Sequence, residues 1–253
     1  MTATMTTKEK TTNRTSGTSP FVYARLAGLL LLIVEVLGPF SLLYVPATLF
    51  VPGDAAATAD KIRASEGLFR LGIFSDSLIF LIEVVLTALL YVLLRPVSRA
   101  LSLGAAFTRL AMAIIQGINL LPYFTALLLL SGASYLTVFE PDQLDALALL
   151  FLNAHQDGVY IWQLFFGFHL FMLGYLIFKS GYFPRILGIL LIVTCLGYLM
   201  DSFGILYPSS GALSTVSSVV LAVGVIGELS FTLWLLIKGV NVEQWEIRAH
   251  KSA

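Results

Sequence analysis

The sequence predicts an all-α, polytopic membrane protein, a bundle of six transmembrane helices. Hydrophobic residues make up 58% of the 253 residues and charged residues only 12%, whereas a soluble globular domain carries about 25% charged residues. The apolar residues also fall into six stretches, each near the roughly 20 residues that a membrane helix needs. The formal net charge is zero, so the lipid bilayer is the expected partner and no nucleic acid is indicated.

The six predicted spans are rich in Leu, Ile, Val and Phe, with the interspersed glycine that favours helix contacts in lipid. They cover roughly residues 22–45, 70–94, 101–129, 158–178, 185–206 and 215–238. Two short interfacial helices are also predicted. The first covers residues 54–67, where Asp54 can N-cap an Ala-rich run. The second covers residues 141–155, where Pro141 favours a helix start but the apolar run is too short to span.

The basic residues predict the orientation of the spans. With the N-terminus inside, eleven Lys and Arg residues fall in cytoplasmic segments and three on the opposite side, the bias expected of short cytoplasmic loops. Both termini are therefore expected in the cytoplasm. The chain divides into a disordered Thr- and Ser-rich tail over residues 1–20, a transmembrane domain over 21–238 and a C-terminal cytoplasmic tail over 239–253.

Five of the predicted spans carry an ionisable residue near the middle of the membrane. Each lies ten residues, or twelve for Glu83, from a basic residue at the cytoplasmic end of its span. A rise of about 1.5 Å per residue places these groups roughly 15–18 Å deep. Because a charge at this depth is costly, they are expected to face the bundle interior. This layer consists of Glu35, Glu83, Arg109, His169 and Glu228.

A second polar group is predicted in the outer half of the membrane. Asp76 lies seven residues from Glu83, and Gln116 seven from Arg109, so each pair shares one helix face. The group consists of Asp76, Gln116, Asn119 and Asp201, with His155 and Asp157 at the entrance to the fourth span. These polar stripes predict an interior cavity open to the outside.

Acids outnumber cations in this region. The acids are Glu35, Asp76, Glu83, Asp201 and Glu228. They face Arg109 as the one certain cation, with His169 as a second candidate. Since an unpaired buried carboxylate takes up a proton, two or three of the acids are expected to be protonated or hydrated. A neutral buried Glu is what an acid catalyst or a proton carrier needs.

Each of these residues also has a purely structural interpretation. Arg109 can clamp one of the Glu residues, and His169 can complete an interhelical hydrogen bond. The two aspartates can be hydrated near the interface, and Glu35 or Glu228 can face a partner subunit. The sequence has no glycine-rich nucleotide loop and no helix with two His at metal-ligand spacing, so neither a cofactor nor a metal is predicted.

Several segments are similar to the bacterial membrane family catalogued as domain of unknown function 4386. They are residues 24–28, 51–57, 65–72, 174–188 and 197–202, of which Lys-Ser-Gly-Tyr-Phe-Pro-Arg over 179–185 is the most distinctive. The resemblance implies a multi-pass protein of the bacterial cytoplasmic membrane and brings no activity. The residues that match the family pattern are Asp76, Arg109, Asn119, His155, His169 and Asp201, whereas Glu35, Glu83 and Glu228 are less typical of it.

Three functions follow from the sequence. The leading hypothesis is a protein that binds or moves a small or lipophilic ligand with protonatable carboxylates. The alternatives are a membrane-embedded acid–base enzyme acting on a lipid or terpenoid, and an accessory subunit of a membrane complex. No catalytic residue is assigned. The candidate ligand-binding residues are Arg109, Asp201, His169, Asp76, Asn119, His155, Glu83, Glu228, Glu35 and Gln116.

Overall fold

The computed structural model of the chain describes residues 19–204 and 211–252. Within those residues the regular secondary structure is entirely helical. In chain order the elements are α1 (Pro20–Pro39), a π-helix (Phe40–Tyr44), α2 (Val45–Leu49), α3 (Ala55–Ala64), α4 (Glu66–Leu94), α5 (Arg99–Ile118), α6 (Leu121–Leu129), a 3₁₀ turn (Ser134–Leu136), α7 (Pro141–Ser180), α8 (Arg185–Gly204), α9 (Gly211–Ile237) and α10 (Val242–Ser252).

Six segments of the described chain are long and apolar enough to cross a membrane, which confirms the six predicted spans. They are Pro20–Leu49, Glu66–Leu94, Arg99–Leu129, Pro141–Ser180, Arg185–Gly204 and Thr215–Ile237. The predicted tail over residues 1–20 falls almost wholly outside the described residues, as do residues 205–210 at the end of the fifth predicted span.

The spans close into a ring. Each of α1, α4, α5, α7, α8 and α9 packs against the next of these helices along the chain, and α9 packs back against α1. Inward faces from all six spans therefore meet around one interior. Side chains on these faces can contact partners from distant parts of the sequence without facing lipid.

One end of the ring is tied together by hydrogen bonds between span termini. At the start of α1, Arg25 Nη2 donates to the carbonyl of Ile237 at the end of α9, at 3.3 Å. Near the start of α5, Ser102 donates to the carbonyl of Tyr91 near the end of α4, at 3.2 Å. We call this the basic end. The basic residues at its span termini are Arg25, Arg95, Arg99, Lys179, Arg185 and Lys238.

The third span differs from the uninterrupted helix predicted over 101–129, because it is broken between α5 and α6. Pro122 has no N–H, and its ring clashes with the carbonyl of Ile118 one turn earlier. Asn119 and Leu120 form a turn at this point. At this break the backbone carbonyl of Asn119 accepts a hydrogen bond from another helix.

The first span is irregular at a similar level. A π-helix over Phe40–Tyr44 follows Pro39 directly and continues into α2. Such one-turn insertions in α-helices are often found at functional sites. Here the π-helix turns the hydroxyl of Ser41 towards Asp76 on α4.

The fourth span also differs from its prediction. Residues 141–155 are helical, but they are continuous with the membrane span in one helix of 40 residues. At about 1.5 Å per residue this helix is roughly 60 Å long, twice the hydrocarbon core. A capping box between Glu140 and Gln143 starts it. Gly158 does not break it, and the side chain of Asn119 fills the space that a side chain at this position would occupy.

The projecting half of α7 is held by the short helices at the end opposite the basic end. Helix α6 packs along it, and α3 packs on it through the buried Asp145, which pairs with Arg63. Asp54 caps α3 by accepting the N–H of Ala57 at 2.9 Å, which confirms the helix predicted near 54–67.

Candidate functional site

Glu83, Arg109 and His169 from three spans form one buried group, the Arg109 cluster. Arg109 Nε lies 2.6 Å from Glu83 Oε2, and Arg109 Nη1 lies 2.9 Å from His169 Nε2. Each of the three residues is at most 4% exposed. An ion pair at this depth is compensated only by close geometry and further hydrogen bonds, and the histidine contact supplies one of these bonds.

The contacts of His169 determine its charge. Its Nδ1 lies 2.8 Å from the carbonyl of Ala105, which can only accept, so Nδ1 carries the hydrogen. A guanidinium has no acceptor atom, so Nε2 must accept from Arg109. The imidazole is therefore neutral. His169 does not supply the second positive charge for which the sequence made it a candidate.

Asp76 is the centre of a second group, the Asp76 cluster. Its carboxylate accepts from the hydroxyl of Ser41 and from Gln116 Nε2 at 3.4 Å. Tyr123 at the start of α6 lies within electrostatic range of it. All four side chains are buried. The two irregular spans and α4 are thus joined through one carboxylate.

His155 completes the Asp76 cluster from the side of α7. Its Nδ1 lies 2.6 Å from the backbone carbonyl of Asn119, at the break between α5 and α6. Asn119 Nδ2 donates in return to the carbonyl of His155 at 2.9 Å. The ring stacks on Tyr123 with centroids 3.6 Å apart. With Nδ1 as the donor of a neutral ring, Nε2 is an acceptor, and it is buried without a partner in the described chain.

Glu35 and Glu228 form the carboxyl pair between the first and last spans. Glu35 accepts from Thr232 Oγ1 at 2.6 Å, and Tyr198 on α8 lies within electrostatic range of Glu228. The two carboxyl groups lie within electrostatic range of each other, and Glu228 also within range of Arg109. The charges of the carboxyl pair and of the Arg109 cluster therefore influence one another.

Some of the predicted site residues are in contact with one another, and others are not. The layer of Glu35, Glu83, Arg109, His169 and Glu228 converges inside the ring through the contacts above. Asp76 and Gln116 are in contact, as are Asn119 and His155. Asp201 is only half-buried, and its electrostatic neighbours are Tyr160 and Tyr198. Asp157 is exposed on α7.

Sequence reasoning did not select Ser41, which donates to Asp76, or Tyr198, which lies within electrostatic range of Glu228. Ser41 lies between Pro39 and Pro46, a spacing that indicates an irregular helix and could have singled it out. Tyr198 lies three residues before Asp201, but an aromatic residue in an apolar span carries no distinctive signal.

The unpaired polar atoms of the interior share one chemical property. Apart from the ion-paired atoms Glu83 Oε2 and Arg109 Nε, the buried side-chain atoms without a hydrogen-bond partner in the described chain are Glu35 Oε2, Gln116 Oε1, His155 Nε2 and Glu228 Oε1. A carboxylate oxygen, an amide oxygen and this imidazole nitrogen are all acceptors. Among the described residues, the interior therefore has more hydrogen-bond acceptors than donors.

The cavity beside Arg109 and His169 has a volume of about 10 Å³, about the space of one water molecule. Its polar lining includes Thr87, Tyr91 and Ser102, so it lies on the basic-end side of the Arg109 cluster. The sequence predicted an opening towards the other side. On that side Ser41 and Gln116 contact Asp76, and Tyr123 stacks on His155.

These features define a multi-pass α-helical membrane protein with a buried array of acids around one arginine. The chain belongs to the family described as "Domain of unknown function (DUF4386)", whose model matches residues 26–239, as the sequence motifs indicated. It is similar to an uncharacterized protein of Archaeoglobus fulgidus, with 33% identity over 177 residues, which cover 69% of this chain and 85% of the relative. No solved structure matches the chain.

Proposed function

We propose that this protein binds and relays protons in a cell membrane, through the interior of its six-helix ring. The small ligand is then the proton itself, or a hydrated proton, held by the buried carboxyl groups. Glu35, Asp76, Glu83 and Glu228 would be the sites of protonation, with Arg109 as a fixed countercharge.

The observation that carries the proposal is the set of unpaired acceptors. A buried acceptor without a partner costs about 1–3 kcal/mol, and only a hydrogen-bond donor or a cation can remove this cost. Protonating Glu35 or Glu228, or placing a water between them, supplies the missing donor. The same change removes a negative charge from a region of low dielectric.

The balance of charge supports the same conclusion. The two clusters and the carboxyl pair contain four carboxyl groups and, because His169 is neutral, one cation, Arg109. Full ionisation would leave three uncompensated negative charges. Since like charges in a low dielectric disfavour simultaneous ionisation, the array holds protons and can exchange them.

The size of the cavity favours a proton over a lipophilic ligand or a lipid substrate. A volume of about 10 Å³ beside Arg109 admits one water molecule, whereas pockets for small organic ligands measure about 300–1,000 Å³. Asp76 and Glu83 lie seven residues apart on α4, or about 10 Å along its axis. One or two waters between them would complete a relay towards the Asp76 cluster.

Proton flux into sealed vesicles tests this function. The purified protein is reconstituted into phosphatidylcholine vesicles that contain a pH-sensitive dye, and a potassium diffusion potential drives protons inwards. We expect flux above that of empty vesicles. Glu228→Gln, which keeps the shape but cannot release a proton, should lower the flux about a hundredfold, the lower end of what a positioned proton-transfer group contributes.

The matched control is Glu246→Gln, the same chemical change at an exposed position of α10, which should leave the flux unaltered. Thermal unfolding of each variant confirms that it is folded. Wild-type flux equal to that of empty vesicles would refute the proposal. Equal flux in folded Glu228→Gln and the wild type would exclude this carboxyl from the relay.

A further inference from the structure

A pocket at the basic end lies outside both clusters. Its volume is about 390 Å³, within the range of small-ligand pockets, about 300–1,000 Å³. Residues 96–97, which follow the end of α4, and residues 180–181, at the end of α7, form one side. Gln244, Ile247, Arg248 and Lys251 of α10 form the other.

Helix α10 is fixed over this pocket by specific contacts. Trp245 Nε1 donates to the carbonyl of Leu93 at 2.9 Å, one of the carbonyls that the end of α4 leaves without a helical partner. Tyr182 donates to the same carbonyl at 2.8 Å. Val240, just before α10, is 5% exposed and belongs to the main hydrophobic core. The wall of the pocket is therefore a packed part of the fold.

The basic and the acidic residues of α10 lie on different faces of the helix. Arg248 and Lys251 line the pocket, whereas Glu243 and Glu246 are exposed and do not line it. Neither of these cations forms a salt bridge with an acid of the described chain, where the ion pairs belong to Arg63, Arg70 and Arg109. Among the described residues that line it, the pocket therefore presents two cations and no carboxylate.

The depth of the pocket matches the headgroup region of a bilayer. It adjoins the last residues of two spans, α4 and α7, and membrane spans end where the hydrocarbon core gives way to headgroups. Basic pockets between span ends bind anionic headgroups in membrane proteins. Gly181 has a φ of 80° with open space around its α-carbon, which leaves room at the pocket wall.

We propose that this pocket binds a phosphate ester through Arg248 and Lys251, with Gln244 as a neutral hydrogen-bond donor. An anionic phospholipid headgroup and a soluble phosphate compound share this chemistry. The guanidinium of Arg248 can donate hydrogen bonds to two phosphate oxygens at once, and Lys251 adds a positive point charge. The site does not depend on the proton relay, since it shares no residue with either cluster or with the carboxyl pair.

The test measures binding to the full-length protein in detergent by native mass spectrometry. The probes are phosphatidylglycerol, phosphatidylcholine and inorganic phosphate. We expect phosphatidylglycerol to bind more tightly than phosphatidylcholine. The double variant Arg248→Gln/Lys251→Gln should weaken its binding about twenty-five-fold, from roughly 1 kcal/mol, or fivefold, for each cation.

Two further variants separate the pocket from general surface charge. Arg95→Gln/Arg99→Gln removes two cations of the same end that do not line the pocket, so it should change binding less than twofold. Ile247→Trp fills the pocket without changing its charge and should also weaken binding. Inhibition of lipid binding by millimolar inorganic phosphate would support the site and identify a soluble source for the phosphate group.

Three results would overturn the proposal. The first is equal affinity for phosphatidylglycerol and phosphatidylcholine together with no binding of phosphate. The second is an equal loss in both double variants, which would mean that the charge of the whole end attracts the lipid. The third is unchanged affinity in folded Ile247→Trp, which would mean that no ligand enters the pocket.

Discussion

Replacing Arg109 by Leu isolates the central contact of the interior. The guanidinium is 2% exposed and contacts both Glu83 and His169. Its removal leaves a carboxylate without its countercharge and an imidazole acceptor without its donor. Breaking a buried ion pair by removing one partner costs about 3–5 kcal/mol. We expect Arg109→Leu to lower the free energy of unfolding by that amount.

The double variant Glu83→Leu/Arg109→Leu gives the matched comparison. Removing both charges removes the penalty of an unpaired carboxylate, and apolar replacement of a buried pair is often neutral. The unpaired His169 acceptor remains, at a cost of about 1–3 kcal/mol. The double variant should therefore be about 2 kcal/mol more stable than Arg109→Leu alone.

Equilibrium unfolding in mixed micelles, followed by circular dichroism at increasing sodium dodecyl sulfate, measures these differences. Arg70→Leu is the control at an exposed ion pair with Glu66, and it should cost about 1 kcal/mol or less. A loss below about 1 kcal/mol for Arg109→Leu would refute the buried ion pair. So would a double variant less stable than the single one.

Two further predictions concern the close packing at Gly188 and the buried hydroxyl of Tyr182. In Gly188→Ala the new methyl group would collide with the backbone carbonyl of Gly174, so we expect a loss of about 1–3 kcal/mol in the same unfolding assay. Gly67→Ala, where the space is open, should cause no loss. Burial raises the pKa of the Tyr182 hydroxyl, so the folded state keeps this proton more tightly than the unfolded state, and stability should fall as the pH rises above about 10. Tyr182→Phe should remove part of this fall in stability. Because the variant lacks the hydrogen bond to Leu93, its free energy of unfolding near neutral pH should be about 1 kcal/mol lower. An identical pH dependence of stability in the variant and the wild type would contradict the prediction.

The sequence was sufficient for the six spans, and it predicts the depth of their ionisable residues. Hydropathy and length are properties of each segment alone, and the bilayer requires both. The distance along the helix from the basic residue at the end of a span also predicts how deep Glu83 or His169 lies in the membrane, because an α-helix has a constant rise. The expectation that these side chains face the interior needed only the cost of exposing charge to lipid.

The breaks and continuities of the spans were not determined by local sequence. Pro122 interrupts the third span, whereas Gly158 and the polar residues before it leave α7 continuous. The two segments differ in the contacts that they make with other helices. Asn119 fills the space beside Gly158 and bonds to the backbone of His155, a contact between residues 36 apart in the chain.

The sequence by itself determined that six helices cross the membrane and that acids, one arginine and one histidine lie inside. Only the tertiary structure decided which atoms meet. Whether His169 is a cation or a neutral acceptor depends on the carbonyl of Ala105, on another helix. Which acids remain unpaired depends on the rotation of each helix about its axis. That rotation is set by side-chain packing around the closed ring, and no single segment contains it.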